Sequence, residues 1–199
     1  MDDDARRKRE AGIYGAAYDV LAQHGYGGAS MLRIAKAAKA SNETLYRWYG
    51  DKDGLFKAMV RDNAAETRQM LSEALSCQDH PWATLEGVAP VFLRMLLGEK
   101  AILLNRAAAA DPSGALGATI SAGGRNEVMP LLNQLMQGIC AGIGCDPKDA
   151  TDWFLSLLVG DLQIKRVINE RAALSEQEIE NRCSKTLMIL RRLIDSQQF

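Results

Sequence analysis

Residues 30–56, SMLRIAKAAKASNETLYRWYGDKDGLF, constrain this chain more than any other stretch. Met31, Ile34, Ala35 and Ala38 recur at helical spacing, so a helix here has one apolar face. Ser30 stands just ahead of that run, where its hydroxyl can accept from the first unpaired backbone N–H groups. After Lys39 and Ala40, Ser41 is a second N-cap, opening a helix from Asn42 to Tyr49 whose inner side holds Leu45 and Tyr49. Two short helices joined by a tight turn follow the helix-turn-helix plan, in which the second helix enters the DNA major groove. The stretch predicts a DNA-contacting element, and the rest of the chain what positions and controls it.

The remainder reads as helix. Apolar residues make up 47% of the 199, prolines number five, and long Ala/Leu/Met/Glu/Arg stretches favour helix over strand. No run alternates β-branched residues. No stretch approaches the ~18 uninterrupted apolar residues of a membrane span, and MDDDARRKRE carries no apolar signal core, so a cytoplasmic protein with no membrane partner is expected. Cys77, Cys140, Cys145 and Cys183 are scattered and histidines number two; free thiols, with no metal and no cofactor, are expected. No nucleophile–base set and no phosphate-cradling glycine loop is present, which argues against an enzyme.

Net charge is −1, but it is unevenly spread. Between Ala5 and Lys57 ten Lys/Arg face five Asp/Glu, whereas from Ala58 onward fourteen face seventeen. A basic head on a mildly acidic body suits a head that meets phosphates. Arg6-Arg7-Lys8-Arg9 precedes a first helix read from Lys8 to Gln23. Taken alone the run reads as a solvated terminus partly neutralised by Asp2 to Asp4; beside the motif, Arg6 and Arg7 join the candidate DNA contacts. On the helix from Asn42, the outward candidates are Asn42, Glu43, Thr44, Tyr46, Arg47 and Trp48. An amide suits adenine and a guanidinium forks onto guanine, while hydroxyls serve phosphates. Two simpler readings stand beside these: Glu43 and Arg47 pair at i,i+4, and Trp48 packs onto the first helix. Asp51 is an N-cap for the next helix, and Lys52 in its first turn opposes the helix dipole unless an anion lies nearby.

Residues 13–57 resemble the N-terminal domain of the TetR (tetracycline repressor) family of bacterial transcriptional regulators. The resemblance rests on the apolar first helix, His24-Gly25-Tyr26, Ser30-Met31, Ile34-Ala35, Ser41, Thr44-Leu45-Tyr46, Tyr49, Lys52 and Leu55-Phe56. It implies a homodimer that binds a pseudo-palindromic operator in double-stranded DNA, usually as a repressor released by a small ligand; the Met and aromatic residues among the pocket candidates named below suit a hydrophobic effector. Phosphate contacts would fall on Ser30, Thr44, Tyr46 and Lys52, and base contacts on Asn42, Glu43 and Arg47; Ser41 is a further candidate DNA contact, and Lys39 places a cation at the groove edge. Lys39 stands where the family usually has Gly; if it adopts positive φ it costs roughly 1 kcal/mol. Trp48 stands where the family often has His.

The expected architecture is all-α, with a three-helix helix-turn-helix domain over residues 1–51 and a larger helical effector-binding and dimerisation domain over 52–199. One long helix is read from Lys52 to about Ser76, another from Pro147 through Asn169, and a last from Ser175, where Ser175 and Glu178 form a capping box. Gly123-Gly124 reads as a break. The resemblance implies a dimer bundle built from the last two long helices, with Leu158, Leu162, Leu187, Leu190 and Ile194 as candidates. Candidate effector-pocket residues are Phe92, Met95, Leu96, Leu103, Arg106, Met129, Leu132, Met136, Trp153 and Phe154. A competing reading is a helical adaptor or ligand-binding protein of the same fold without specific DNA binding; the presence of Thr44, Tyr46 and Lys52 favours the regulator.

Overall fold

The computed structural model describes residues 3–77 and 80–197, apart from the side chain of Asp3, so the neutralising role read for Asp2 and Asp3 lies outside the described residues. Helices follow in the order α1 (Asp3–Gly28), α2 (Met31–Ala37), α3 (Asn42–Tyr49), α4 (Lys52–Asn63), α5 (Ala65–Cys77), α6 (Pro81–Leu97), α7 (Glu99–Ala109), α8 (Ala115–Ile120), a π-helical turn (Ser121–Arg125), α9 (Asn126–Cys140), α10 (Pro147–Leu158), α11 (Leu162–Val167) and α12 (Glu176–Asp195). Among the described residues there is no strand, and the fold is all-α as expected.

The chain forms two compact units, divided differently from the expected boundary at residue 51. One comprises the described residues through Asn63 together with Glu99–Gly124; the other comprises Ala64–Gly98 and the described residues from Arg125 onward. The reason is packing. Leu55, Phe56, Met59 and Val60 of α4 share a buried core with Ile13, Ala17 and Leu21 of α1, Met31, Ile34 and Ala35 of α2, and Leu45 of α3. Leu104 and Ala107 of α7 and Leu116 of α8 close the same core. Burying a side chain such as Phe56 contributes about 1.5–3 kcal/mol, so α4 is bound to this unit from its first turn. Beside α4 the π-helical turn comes in closely: a Cβ on Gly123 would lie 2.9 Å from the Lys57 carbonyl oxygen. Gly123 and Gly124 are therefore not a break but a bare helical surface that lets α4 approach.

In the second unit the core joins α5, α6, α9, α10 and α12. Two elements differ from the sequence reading. The helix expected over 52–76 divides at Ala64, after Asn63, a poor helix former. The helix expected over 147–169 divides at Gly160, whose φ of 50° leaves the right-handed helix. The last helix begins as read, Ser175 Oγ accepting from Glu178 N and the Glu178 carboxylate from Ser175 N.

Burial in the second unit separates the candidate interface and pocket residues. Leu158, Leu162, Leu190 and Ile194 are closed by their own chain and have no surface left for a second copy, because helical periodicity marks an apolar face without saying what covers it. Leu187 is half-buried and lines an open groove of about 630 Å³ between α6 and α12, with Pro90, Met188 and Arg191. Phe92, Leu132, Met136 and Phe154 are at most 5% exposed and belong to the second unit's core, Phe92 stacking on Phe154 with centroids 6.5 Å apart. Met95, Leu96, Met129 and Trp153 pack partly buried against that core. Leu103 and Arg106 belong to the first unit, where Leu103 packs on the first core.

Candidate nucleic-acid interface

The two short helices are capped as their sequence requires. Ser30 Oγ accepts from Arg33 N at 3.2 Å, and Ser41 Oγ accepts from Thr44 N at 3.0 Å while sharing a 2.7 Å hydrogen bond with Thr44 Oγ1. Between them Lys39 adopts φ 51°, left-handed as anticipated for a position that favours glycine, and its side chain is exposed. Ala40 N donates to Ala35 O at 2.9 Å, closing the turn. Leu45 is wholly buried and fixes which face of α3 turns outward.

On that outward face stand Glu43, Tyr46 and Arg47, all exposed, Tyr46 by 50%. Among the described residues no ion pair joins Glu43 to Arg47, so the simple i,i+4 pairing does not form. Asn42 and Thr44 are half-buried, and Asn42 Oδ1 is covered with no hydrogen-bond partner in the structure. Trp48 is turned aside from this face: its ring meets Tyr49 edge-on at 6.3 Å, and Arg6 lies over it at 5.4 Å. Tyr49 in turn meets Tyr14 at 6.1 Å, and burial pushes both tyrosine hydroxyls above their ordinary pKa. Trp48 thus packs toward α1, the simpler of its two readings.

Arg6 and Arg7 are not an extended arm. Both lie within α1, which begins earlier than the expected Lys8, and Arg6 Nε bonds the Glu10 carboxylate at 3.1 Å. At the start of α4, Asp51 Oδ1 accepts from Gly54 N at 2.7 Å, the predicted cap. Lys52 is held inward more than expected: Nζ donates to Tyr26 O at 3.1 Å and sits 3.9 Å from the Tyr26 ring centroid. A carbonyl and an aromatic face thus already offset the unfavourable helix dipole. The Tyr26 hydroxyl donates to the Asp53 carboxylate, and burial, then Asp53, pushes its pKa up.

Sequence reasoning passed over the outer face of α2. Leu32, 54% exposed, and Arg33 and Lys36, also exposed, lie opposite Met31, Ile34 and Ala35. The signal was there in the same helical periodicity, read from its polar side. Arg33 also donates to the Gly28 carbonyl, tying α2 to the end of α1.

Residues 13–59 match the family described as bacterial regulatory proteins, tetR family. The likeness to that family covers residues 13–59 of the 199. The HTH-type transcriptional repressor AcnR of Corynebacterium glutamicum is 38% identical over 53 residues, covering 27% of this chain and 28% of that repressor, so the match spans little more than a quarter of the relative's length. A TetR transcriptional regulator from Agrobacterium tumefaciens superposes with a TM-score of 0.70 at 24% identity, over 95% of this chain and 98% of that one. FadR of Bacillus subtilis, solved in complex with stearoyl-CoA, superposes with a TM-score of 0.68 at 16% identity, over 90% and 96%. These two likenesses establish the fold. The TetR-family match runs from Ile13 in α1 to Met59 in α4, taking in both capped helices and Lys52; Arg6 and Arg7 lie ahead of it.

Proposed function

We propose that the protein is a ligand-responsive transcriptional regulator, a homodimer that binds a pseudo-palindromic operator in double-stranded DNA and represses until a small hydrophobic effector releases it. The observation that carries this reading is the outward face of α3, where Tyr46 and Arg47 stand exposed, with Lys39 also exposed in the turn that precedes the helix. Arg47 supplies a fork for guanine, a contact of about 1–3 kcal/mol in discrimination. Tyr46, Ser30 and Thr44 supply hydroxyls for phosphates, and Lys39, Arg33 and Lys36 supply cations around them. Two copies are needed because a single short recognition helix reads few base pairs, and operator symmetry mirrors protein symmetry. The exposed Met188 beside the α6–α12 groove supports α12 as the pairing helix. FadR, whose fold the chain shares, was solved with a long-chain acyl-CoA, which supports an apolar effector.

Selection of bound duplexes from a random DNA pool at two salt concentrations tests the reading. An enriched inverted repeat is the expected result. Salt-sensitive binding without enrichment, or no binding, overturns it.

A further inference from the structure

Arg6, Glu10 and Tyr14 stand four residues apart along α1 and so share one face of it. Trp48 and Tyr49, the last two residues of α3, meet that face: Tyr14 contacts Tyr49, and the Arg6 guanidinium lies 5.4 Å from the Trp48 ring centroid, within cation–π range. The Glu10 bond uses only Nε of Arg6, and the Arg6 side chain remains 55% exposed. Among the described residues Arg6 makes no other hydrogen bond, so its two terminal NH₂ groups are available to solvent. Lys8, by contrast, pairs with Asp4 at 3.2 Å.

We propose that Arg6 is a phosphate contact supplied to the C-terminal end of α3 by α1, and that Trp48 is the positioning residue that holds it there. This rests on the DNA-binding reading above. A recognition helix reads bases mainly from its first turns, so its far end lies toward the backbone strand that borders the groove. Trp48 does not itself present a cation or a hydroxyl to that strand. Its ring instead provides a flat seat for a guanidinium, and Glu10 fixes the guanidinium's orientation by taking its Nε–H. The free edge is the pair of terminal NH₂ groups, the geometry that forks onto two phosphate oxygens. The site is thus built from α1 and α3 jointly, and the aromatic contacts from Trp48 through Tyr49 to Tyr14 keep the two helices in register.

The test is a salt series of operator affinity, using the duplex recovered by selection, for the wild type, Arg6→Gln, Trp48→Leu, Trp48→Phe and the Arg6→Gln/Trp48→Leu double variant, with helix content followed by circular dichroism. Each lost phosphate contact reduces the slope of log affinity against log salt by about 0.9. Arg6→Gln and Trp48→Leu should each lower the slope by about that amount and weaken binding about tenfold at low salt. The double variant should lower it no further, and Trp48→Phe, which keeps a ring, should retain the wild-type slope. An Arg6→Gln slope equal to wild type overturns the inference, as does a double variant that loses two contacts. Should Trp48→Leu lose helix, Arg6→Gln against Trp48→Phe decides alone. A wild type without sequence-selective, salt-dependent binding removes the DNA reading and this inference together; a steep wild-type slope shared by Arg6→Gln removes only the inference.

Discussion

A Cβ added to Gly54 would stand 2.0 Å from the carbonyl oxygen of Tyr49. The end of α3 and the start of α4 are folded that closely, with Gly50 at φ 80° making the corner and Asp51 capping through Gly54 N. Elsewhere in an exposed helix interior, Gly to Ala gains about 1 kcal/mol. Here the clash is with backbone, which cannot swing aside, so Gly54→Ala should destabilise by roughly 1–3 kcal/mol, the range of overpacking. Thermal unfolding measures it; a midpoint at or above wild type would show that the corner yields.

Lys39 holds a left-handed conformation at φ 51°. Lys39→Gly should relieve about 1 kcal/mol of that strain while removing a cation from the groove edge. Urea unfolding should move to higher midpoint as operator affinity falls. Lower stability would mean that glycine's extra freedom in the unfolded chain outweighs the relief.

Leu190 and Met188 sit two residues apart on α12, one wholly buried and the other 49% exposed. Leu190→Asp should unfold the second unit, since an unpaired charge there has no water and no partner. Met188→Asp should keep wild-type helix content and shift the oligomer toward monomer. Circular dichroism with light scattering separates the two, and a well-folded Leu190→Asp monomer would return that residue to the interface.

Lys52 bonds the Tyr26 carbonyl across 26 residues of sequence. Lys52→Ala should therefore lower the unfolding midpoint by a few degrees and also flatten the salt dependence of DNA affinity. A slope unchanged from wild type would confine Lys52 to holding the Tyr26 corner.

Cys77 is exposed, while Cys140, Cys145 and Cys183 are buried. Burial, then the hydrogen bond with Cys145, pushes the Cys140 thiol up to about 12, and burial raises Cys183 as well. The thiolate is the nucleophile, so near pH 8 these groups stay protonated and unreactive in the folded protein. Iodoacetamide should add once, at Cys77, under native conditions and four times in denaturant, as read by intact mass. Fast native labelling of Cys140 would contradict this.

What was legible in the sequence was local. Ser30, Ser41 and the Ser175–Glu178 pair announce their helices because a cap bonds only two or three residues ahead, and Lys39 announces its turn by its place between them. What escaped was tertiary. Nothing near Lys52 signals that Tyr26 will receive it, and nothing near Trp48 signals Arg6, because those partners meet only after α1 has packed. Leu158, Leu190 and Ile194 show the same limit from the other side. Their spacing marks an apolar face, yet whether a neighbouring helix or a second copy covers it is decided by the rest of the chain.

The seat that Trp48 occupies has a spectroscopic use. The chain has three tryptophans, and Trp82 and Trp153 both belong to the second unit, leaving Trp48 alone in the first. With Trp82 and Trp153 replaced by Phe, all indole emission would arise from one ring on α3, under the Arg6 guanidinium that we propose meets phosphate. Such a protein would report its own docking by a change in fluorescence, with no dye attached to either the duplex or the chain.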